Sequence, residues 1–416
     1  MLITATGALL GLAFSIILIL RKTHPVYALF AGAILGGLIG GAQFSETLKF
    51  MMEGAKGMIP AILRVLSAGI LAGVLIESGA AAKIAETIIE KTGHSNAMIS
   101  IILSTFVLTS VGLFVVVAVL IVAPIALITA QKAGISKMAV LLAMIGGSKA
   151  GNIISPNPNT IAAADAFKLD LSSVMAAGLI PAFFGLVVTI IISMMLKNTG
   201  DKVLNQEMDD VESEKPNFYA AIAGPLVAIL LLLIRPLFGI NIDPLIALPL
   251  GGIVGALAMK KIKNINTYAS AGINRMSSVA ILLIGAGLIS GIISNSNVKD
   301  LIIQGLQSSG ISSVLLAPLS GMFMSAATAS TTAATAVASN VFGPTILSLG
   351  VGALPAAAMI HSGATVLDHM PHGNFFHVTA ESVKMNIRQR LKLIPYETII
   401  GLILATVSTV IYGFLI

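Results

Sequence analysis

Residues 97–130 read AMISIILSTFVLTSVGLFVVVAVLIVAPIALITA, an apolar run of 34 residues without one charged side chain. A single α-helix of that length would measure about 51 Å, whereas the hydrocarbon core of a bilayer is about 30 Å thick. The small and polar residues Thr109-Ser110-Val111-Gly112 lie in the middle of the run, where a chain turns most easily. The run therefore predicts two half-helices that enter and leave the membrane on the same side, as a re-entrant hairpin.

The composition of the whole chain is typical of a membrane protein. Of its 416 residues, 56% are hydrophobic and 10% are charged, against about 25% charged residues in an ordinary soluble domain. The sequence has none of the short alternating segments of a membrane β-barrel, so we predict helical spans. It contains no cysteine, which excludes thiolate metal sites. Its net charge of +6 is spread between apolar runs, so we expect no nucleic-acid partner.

A second long uncharged stretch lies towards the other end of the chain. Residues 301–367 contain no Asp, Glu, Lys or Arg over 67 positions. That length leaves room for a second hairpin at about residues 311–349 and a half-helix at residues 351–366. A polar segment with six acidic residues and three lysines separates the two halves. We predict a first repeat over residues 1–196, a polar linker over residues 197–217 and a second repeat over residues 218–416.

Residue matches indicate that the second half is a copy of the first. ILAGVLI at 70–76 corresponds to LISGIIS at 288–294, at an offset of 218. SPNPN at 155–159 corresponds to MPHGN at 370–374, at an offset of 215. Because the two matches occur in the same order at nearly the same offset, they support a real repeat. Each repeat is predicted to have five transmembrane helices, one re-entrant hairpin and one discontinuous helix, and the odd number of crossings inverts the second repeat.

The basic residues predict how the chain is oriented in the membrane, since cytoplasmic segments carry an excess of Lys and Arg. With both termini outside, the inner segments hold 17 basic residues and the outer segments hold five. The five outer residues are Lys49, Lys56, Lys168, Arg235 and Lys299. We therefore expect a multi-pass protein of the bacterial inner membrane, in contact with lipid and with both termini outside.

The interrupted segment SKAGNIISPNPNT at 148–160 is the first candidate site. Its prolines stop a helix, and a broken helix in lipid is tolerated only where protein or a watery cavity satisfies the freed backbone groups. Lys149 lies inside a span, where a charge costs about 3 kcal/mol. It therefore pairs with a substrate carboxylate, forms an internal salt bridge, or extends its ammonium group to the near membrane interface. The candidate substrate-binding residues of this break are Lys149, Asn152, Ser155, Asn157, Asn159 and Thr160.

The second break, TVLDHMPHGN at 365–374, combines a carboxylate with two imidazoles. His361 and His377 flank it, so that four of the six histidines lie close together in sequence. Buried Asp and His side chains are the groups that a proton relay uses in a membrane. The spacing matches no standard metal-ligand motif, so we expect no metal. The candidates for ion coupling are Asp368, His369 and His372, and Asn374 is a candidate for substrate binding.

The predicted hairpin tips supply the remaining candidates. Small hydroxyl residues at a tip can line a polar cavity, or they can bond back to the preceding helical turn. Arg64, inside the third predicted span, is another buried charge, for which helix packing and function are equal alternatives. The candidate tip residues are Ser110 and Gly112 in the first hairpin and Ser325, Thr328, Ser330, Thr331 and Thr332 in the second.

Three motifs resemble the gluconate permease (GntP) family of the wider ion transporter superfamily. They are ESGA at 77–80, SPNPNTIA at 155–162 and ATASTTAA at 327–334, and their order and spacing cover nearly the whole chain. The resemblance implies a proton-coupled importer of sugar acids or related hydroxy acids that works as a homodimer. It also implies that the substrate lies between two hairpin tips and two unwound helices. The chain departs from the family pattern at Asn157 and Asn159, which stand where the family has His and Gly.

The leading hypothesis is a secondary transporter, not an enzyme, that carries a small organic anion together with a proton. Asp368 and a nearby histidine would carry the proton, while Lys149 and the hairpin hydroxyls would hold the anion. No cofactor is expected beyond the coupling ion, H⁺ or alternatively Na⁺. The alternatives are a cation/proton antiporter, with Na⁺ among Asn152 and Asn157, and a sodium-coupled carboxylate transporter on the same scaffold. A membrane enzyme is disfavoured because no nucleotide or metalloprotease motif is present in the sequence.

Overall fold

The computed structural model describes residues 3–93, 96–203, 215–240, 242–309 and 312–416. The middle of the predicted linker (204–214) and residue 311, near the predicted start of the second hairpin, lie outside the described residues. Within the described ranges the chain folds into α-helices without a β-strand, which confirms the predicted all-α class. Helices form because a backbone in lipid must satisfy its own hydrogen bonds.

The described part of the first half contains eleven α-helices. They are α1 (Ala5–Leu20), α2 (Pro25–Ile39), α3 (Phe44–Lys56), α4 (Ile59–Glu77), α5 (Ala80–Thr92), α6 (Ala97–Ser110), α7 (Val115–Lys132), α8 (Lys137–Asn152), α9 (Pro158–Ala166), α10 (Leu171–Ala177) and α11 (Leu179–Met195).

The described part of the second half contains ten. They are α12 (Phe218–Phe238), α13 (Pro244–Ala258), α14 (Ile265–Ser294), α15 (Val298–Ser309), α16 (Leu316–Thr328), α17 (Thr331–Ser348), α18 (Ala353–Gly363), α19 (Asn374–Ser382), α20 (Ile387–Leu391) and α21 (Ile394–Thr409), followed by a π-helical turn at Val410–Leu415.

Both predicted hairpins turn within their predicted tip segments. Between α6 and α7 the chain turns at Gly112, whose φ of 110° is a conformation that glycine adopts without strain. Between α16 and α17 it turns at Ala329, with a φ of 47°, and the Ser330 hydroxyl accepts a hydrogen bond from the backbone N–H of Ala333 at the start of α17. The two helices of each pair contact one another. The re-entrant character of these hairpins stays a prediction.

The two predicted breaks are also present, and the half-helix before the second is shorter than predicted. The first separates α8 from α9, which begins at Pro158. The second follows a half-helix that was predicted over residues 351–366, but α18 already ends at Gly363. Beyond it, the Thr365 carbonyl accepts a hydrogen bond from Lys149 Nζ and the Leu367 N–H donates to Ser325 Oγ. Side chains of other segments thus satisfy backbone groups that would otherwise continue the helix.

Three helices differ from their predicted form. Residues 171–196 are an uncharged run that predicts one continuous span, but the run is divided into α10 and α11 by a bend of 41° at Gly178. A Cβ at Gly178 would lie 2.4 Å from the Ile153 carbonyl oxygen, and Pro181 has no N–H for the preceding turn. The uncharged run that begins at residue 277 predicts a shorter helix than α14, which starts at residue 265, and α3 was not predicted. Both additional segments contain charged residues, so a search for uncharged runs does not find them.

Helices α4 and α14 pack closely against one another. A Cβ on Gly272 would lie 1.8 Å from the Gly69 carbonyl oxygen, so the two backbones are in direct contact. Gly73 and Gly291, which occupy the same place in the two matching segments, are both at such crossings. A Cβ on either would lie 2.1 Å from a carbonyl oxygen of the neighbouring helix.

Length and composition identify four segments of the described chain that can cross a membrane alone. They are Ile59–Glu77, Val115–Lys132, Ile262–Ser294 and Ile387–Leu415, and the bent pair α10–α11 would be a fifth. Six further apolar helices have 10 to 17 residues. The number of crossings, the inversion of the second half and the domain division at residues 197–217 stay predictions.

Candidate functional site

The two breaks meet at a buried ion pair. Lys149 Nζ on α8 lies 2.7 Å from Asp368 Oδ1, and the two side chains are 1% and 6% exposed. Lys149 also donates to the Thr365 carbonyl at 2.6 Å. A buried charge is tolerated only when it is paired and hydrogen-bonded, and both conditions hold here. Of the alternatives for Lys149, this structure therefore has the internal salt bridge, with Asp368 as its partner.

Asp368 connects this pair to the tip of the second hairpin. Its Oδ2 accepts a hydrogen bond of 2.6 Å from the hydroxyl of Thr331, the first residue of α17. Through Lys149, Asp368 and Thr331, the first break, the second break and the second hairpin share one continuous set of polar contacts. A change of charge at Asp368 therefore acts on all three segments.

His369 extends these contacts towards α21. Its Nε2 lies 3.1 Å from the Ile394 carbonyl oxygen and 3.1 Å from Thr398 Oγ1. A carbonyl oxygen can only accept, so Nε2 carries a hydrogen. In the neutral ring Nδ1 is then an acceptor, and it lies 3.1 Å from the Lys149 ammonium.

A second buried ion pair, which was not predicted, lies next to His369. Arg390 and Glu397 are both fully buried and form a two-point contact. The Arg390 guanidinium also lies over the ring of Phe376, 4.7 Å from its centroid. Arg390 was counted among the predicted inner basic residues, which assumes a loop position. The signal available in the sequence was the lone Glu397 at the start of the last apolar run.

Three asparagines organise the first break. Asn157 caps α9, because its Oδ1 accepts from the backbone N–H groups of Asn159 and Thr160. Its Nδ2 donates to the backbone carbonyl and to the side-chain oxygen of Asn152, both at 2.7 Å. Asn159 Nδ2 donates to the same Asn152 oxygen at 3.2 Å. The loop is thus held by side-chain amides where helical hydrogen bonds are interrupted.

A cavity of about 890 Å³ lies against these elements. Phe114 and residues 115–117 of the first hairpin form an apolar part of its wall, which was not predicted. Exposed basic groups, also not predicted, line it at Lys22, His24, Arg275 and His377. The predicted site residues that line it are Asn152, Asn159, Thr328, Ser330, Thr331, Thr332, Asp368, His372 and Asn374.

The other predicted site residues are not among those lining the cavity. Ser110 bonds back to the Phe106 carbonyl, which is the packing alternative for a tip hydroxyl. Ser325 donates to the Met322 carbonyl and accepts from Leu367 N–H. The remainder, all of them buried, are Gly112, Lys149, Ser155, Asn157, Thr160 and His369. Their roles in substrate binding or ion coupling stay predictions.

The clustered histidines do not form a common centre. His372 and His377 contact the carbonyls of Ala327 and Pro371, while His361 is buried in α18. Over the parts of the chain that are described, no group of three or more His, Asp or Glu side chains is placed to hold a metal ion.

Arg64 joins three helices at a separate place. It forms a hydrogen bond of 2.6 Å with Asp243, at the start of α13, and it also contacts Asp165 at the end of α9. Hydrogen bonds from Arg64 hold the pKa of the Asp243 carboxyl below its ordinary value. In this structure Arg64 links helices through its ion pairs, which is the packing alternative. Its two carboxylate partners were not predicted.

The fold is similar to that of the Alcanivorax borkumensis YdaH transporter, with a TM-score of 0.62 and 15% sequence identity over 88% of this chain and 87% of that chain. The chain therefore has the fold of a multi-pass membrane transporter. Its residues 2–415 match the family model described as GntP family permease, and the chain belongs to that family. This confirms the predicted family and the prediction of a transporter, not an enzyme.

Several relatives align over nearly the whole chain. An uncharacterized transporter of Haemophilus influenzae is 57% identical over 412 residues, which are 99% of this chain and 98% of the relative. A gluconate permease of Pseudomonas aeruginosa is 25% identical over 438 residues, covering 97% and 95% of the two chains.

Proposed function

We propose that this protein imports a gluconate-like sugar acid or a related hydroxy acid together with a proton, by alternating access, across the bacterial inner membrane. The substrate class is supported by the relative named gluconate permease. A homodimer is part of the proposal and rests on the family resemblance. The proposed coupling rests on the buried charges of the two breaks.

The observation that carries the proposal is the charge of the cavity lining. Lys22 lines it together with three histidines, and Arg275, which also lines it, is ion-paired with Glu77 at 2.7 Å. Among the described residues that line the cavity, Asp368 is the only carboxylate, and Lys149 already neutralises it. Such a lining attracts an organic anion. It disfavours an alkali cation at Asp368, because Na⁺ would compete there with an ammonium 2.7 Å from the carboxylate oxygen.

Proton coupling follows from charge balance in a buried site. Lys149 and Asp368 together carry no net charge. When a proton neutralises Asp368, the Lys149 charge is left without a partner, at a cost of several kcal/mol (roughly 3–5). A substrate carboxylate in the cavity restores the balance. Proton binding and anion binding therefore favour one another, which is the thermodynamic basis of symport.

His369 is the proposed carrier of the proton to and from Asp368. Its Nδ1 lies 3.2 Å from Asp368 Oδ1, and its Nε2–H points towards the Ile394 carbonyl and the Thr398 hydroxyl. A ring with one acceptor and one donor nitrogen can take up a proton on one side and release one on the other. We place the route between Asp368 and α21.

The test is uptake of labelled gluconate by proteoliposomes under an imposed pH gradient. We expect accumulation that collapses when the gradient is dissipated, and none in the Asp368→Asn variant. Asp300→Asn, which changes an exposed carboxylate outside the cavity lining, is the matched control and should transport normally. A change in the fluorescence of a lumenal pH dye caused by Na⁺ or K⁺ alone, without a response to any acid, would contradict the proposal.

A further inference from the structure

Two polar atoms of the first break are buried without a hydrogen-bond partner. Over the described residues, Asn152 Nδ2 and Asn159 Oδ1 are both unpartnered. The two side chains are 1% and 2% exposed, and both residues line the cavity. A buried polar group without a partner costs about 1–3 kcal/mol, so an unpartnered pair beside a cavity indicates a missing ligand.

The orientation of the amide groups is fixed by the backbone. The two N–H groups at the start of α9 can only donate, so the group of Asn157 that faces them must be its oxygen. Its NH₂ group therefore faces Asn152, whose oxygen must accept. That oxygen also receives an amide hydrogen from Asn159. This chain of contacts leaves Asn152 with a free donor and Asn159 with a free acceptor.

We infer that Asn152 and Asn159 form a hydroxyl-binding subsite that selects hydroxylated acids over plain carboxylic acids. A hydroxyl group is at once a donor and an acceptor, so one hydroxyl or two neighbouring ones satisfy both free atoms. A carboxylate would be repelled by the Asn159 oxygen, and an ammonium group would face the Asn152 NH₂. The inference rests on the proposed function and adds the group that recognises the substrate's hydroxyls.

The subsite is separate from the charged pair that would balance the carboxylate. Lys149 and Asp368 supply charge, while the asparagines supply one neutral donor and one neutral acceptor. A substrate held by both must carry its hydroxyls on the carbon chain beyond its carboxylate. A polyhydroxy acid such as gluconate has this arrangement, and hexanoate has the same chain length and charge without the hydroxyls.

The experiment compares gluconate with hexanoate as competitors of labelled gluconate on the purified protein. A site built to bond a hydroxyl rejects an analogue that lacks it, because its own polar groups stay unpaired. We expect gluconate to bind more than about tenfold more tightly than hexanoate. Equal affinity in the wild-type protein would overturn the subsite and leave the proposed function intact. Binding of neither acid would overturn both.

Asn159→Ala is the variant that tests the residue. It removes the free acceptor but leaves the Asn157–Asn152 bonds in place. We expect the preference for gluconate to fall to within about threefold, with hexanoate affinity unchanged. The control is Ser193→Ala on α11, which removes an equally buried and unpartnered hydroxyl outside the cavity lining. An unchanged preference in Asn159→Ala, or an equal loss in Ser193→Ala, would overturn the inference. If Asn159→Ala fails to fold, the wild-type comparison decides.

Discussion

Lys149 and Asp368 are each other's only charge compensation at the meeting point of the breaks within the described structure. Removing one member of a buried pair leaves a bare charge in a low dielectric, whereas removing both leaves neutral groups. The same charge balance links protonation to anion binding in the proposed mechanism. Stability measurements can therefore examine the pair independently of transport.

Lys149→Gln should lower the stability of the protein by about 3–5 kcal/mol, because Asp368 is left uncompensated. The double variant Lys149→Gln/Asp368→Asn should recover most of that loss. The measurement is the thermal unfolding midpoint in detergent at neutral pH. A double variant less stable than Lys149→Gln alone would contradict the charge-balance argument.

At the scale of the helices, the close contacts that position the site depend on glycine residues. Helices α4 and α14 approach until Gly69 and Gly272 are in backbone contact. Helix α14 also contacts α17, whose first residue, Thr331, bonds Asp368. A displacement of α14 would therefore act on α17 as well as on α4.

Gly272→Ala should destabilise the protein by about 1–3 kcal/mol, because its Cβ would overlap the Gly69 carbonyl. The matched control is Gly305→Ala in α15, where an added Cβ meets nothing within 4 Å. Alanine is the better helix former, so the control should be unchanged or slightly more stable. Both midpoints are measured by thermal unfolding in detergent, and equal losses would refute the close crossing.

At the scale of the whole molecule, the charge balance of the Lys149–Asp368 pair couples anion binding to protonation of Asp368. We expect gluconate binding to take up about one proton per anion near neutral pH. The measurement is calorimetric titration in buffers of different ionisation enthalpy. Asp368→Asn should bind with no proton uptake, and Asp300→Asn should behave as wild type. Proton uptake that persists in Asp368→Asn would remove Asp368 from the coupling role.

The features predicted from sequence are those that depend on local chemistry. The turn at Gly112 follows from glycine's access to positive φ, and the start of α9 at Pro158 follows from the missing proline N–H. The bend at Gly178 was not predicted, because it depends on the approach of the Ile153 carbonyl from another segment. The early end of α18 likewise depends on Lys149 and Ser325 from elsewhere in the chain.

The amino-acid sequence by itself determined that this protein is a helical membrane transporter of its family, with two hairpins and two breaks. Uncharged runs can satisfy their backbone in lipid only as helices, and prolines, glycines and small polar residues mark where those helices stop. Only the tertiary structure decided that Lys149 pairs with Asp368, and that Asn152 and Asn159 are left with one free donor and one free acceptor. Those pairings depend on how distant segments pack, and identical residues packed differently would present other groups to the cavity.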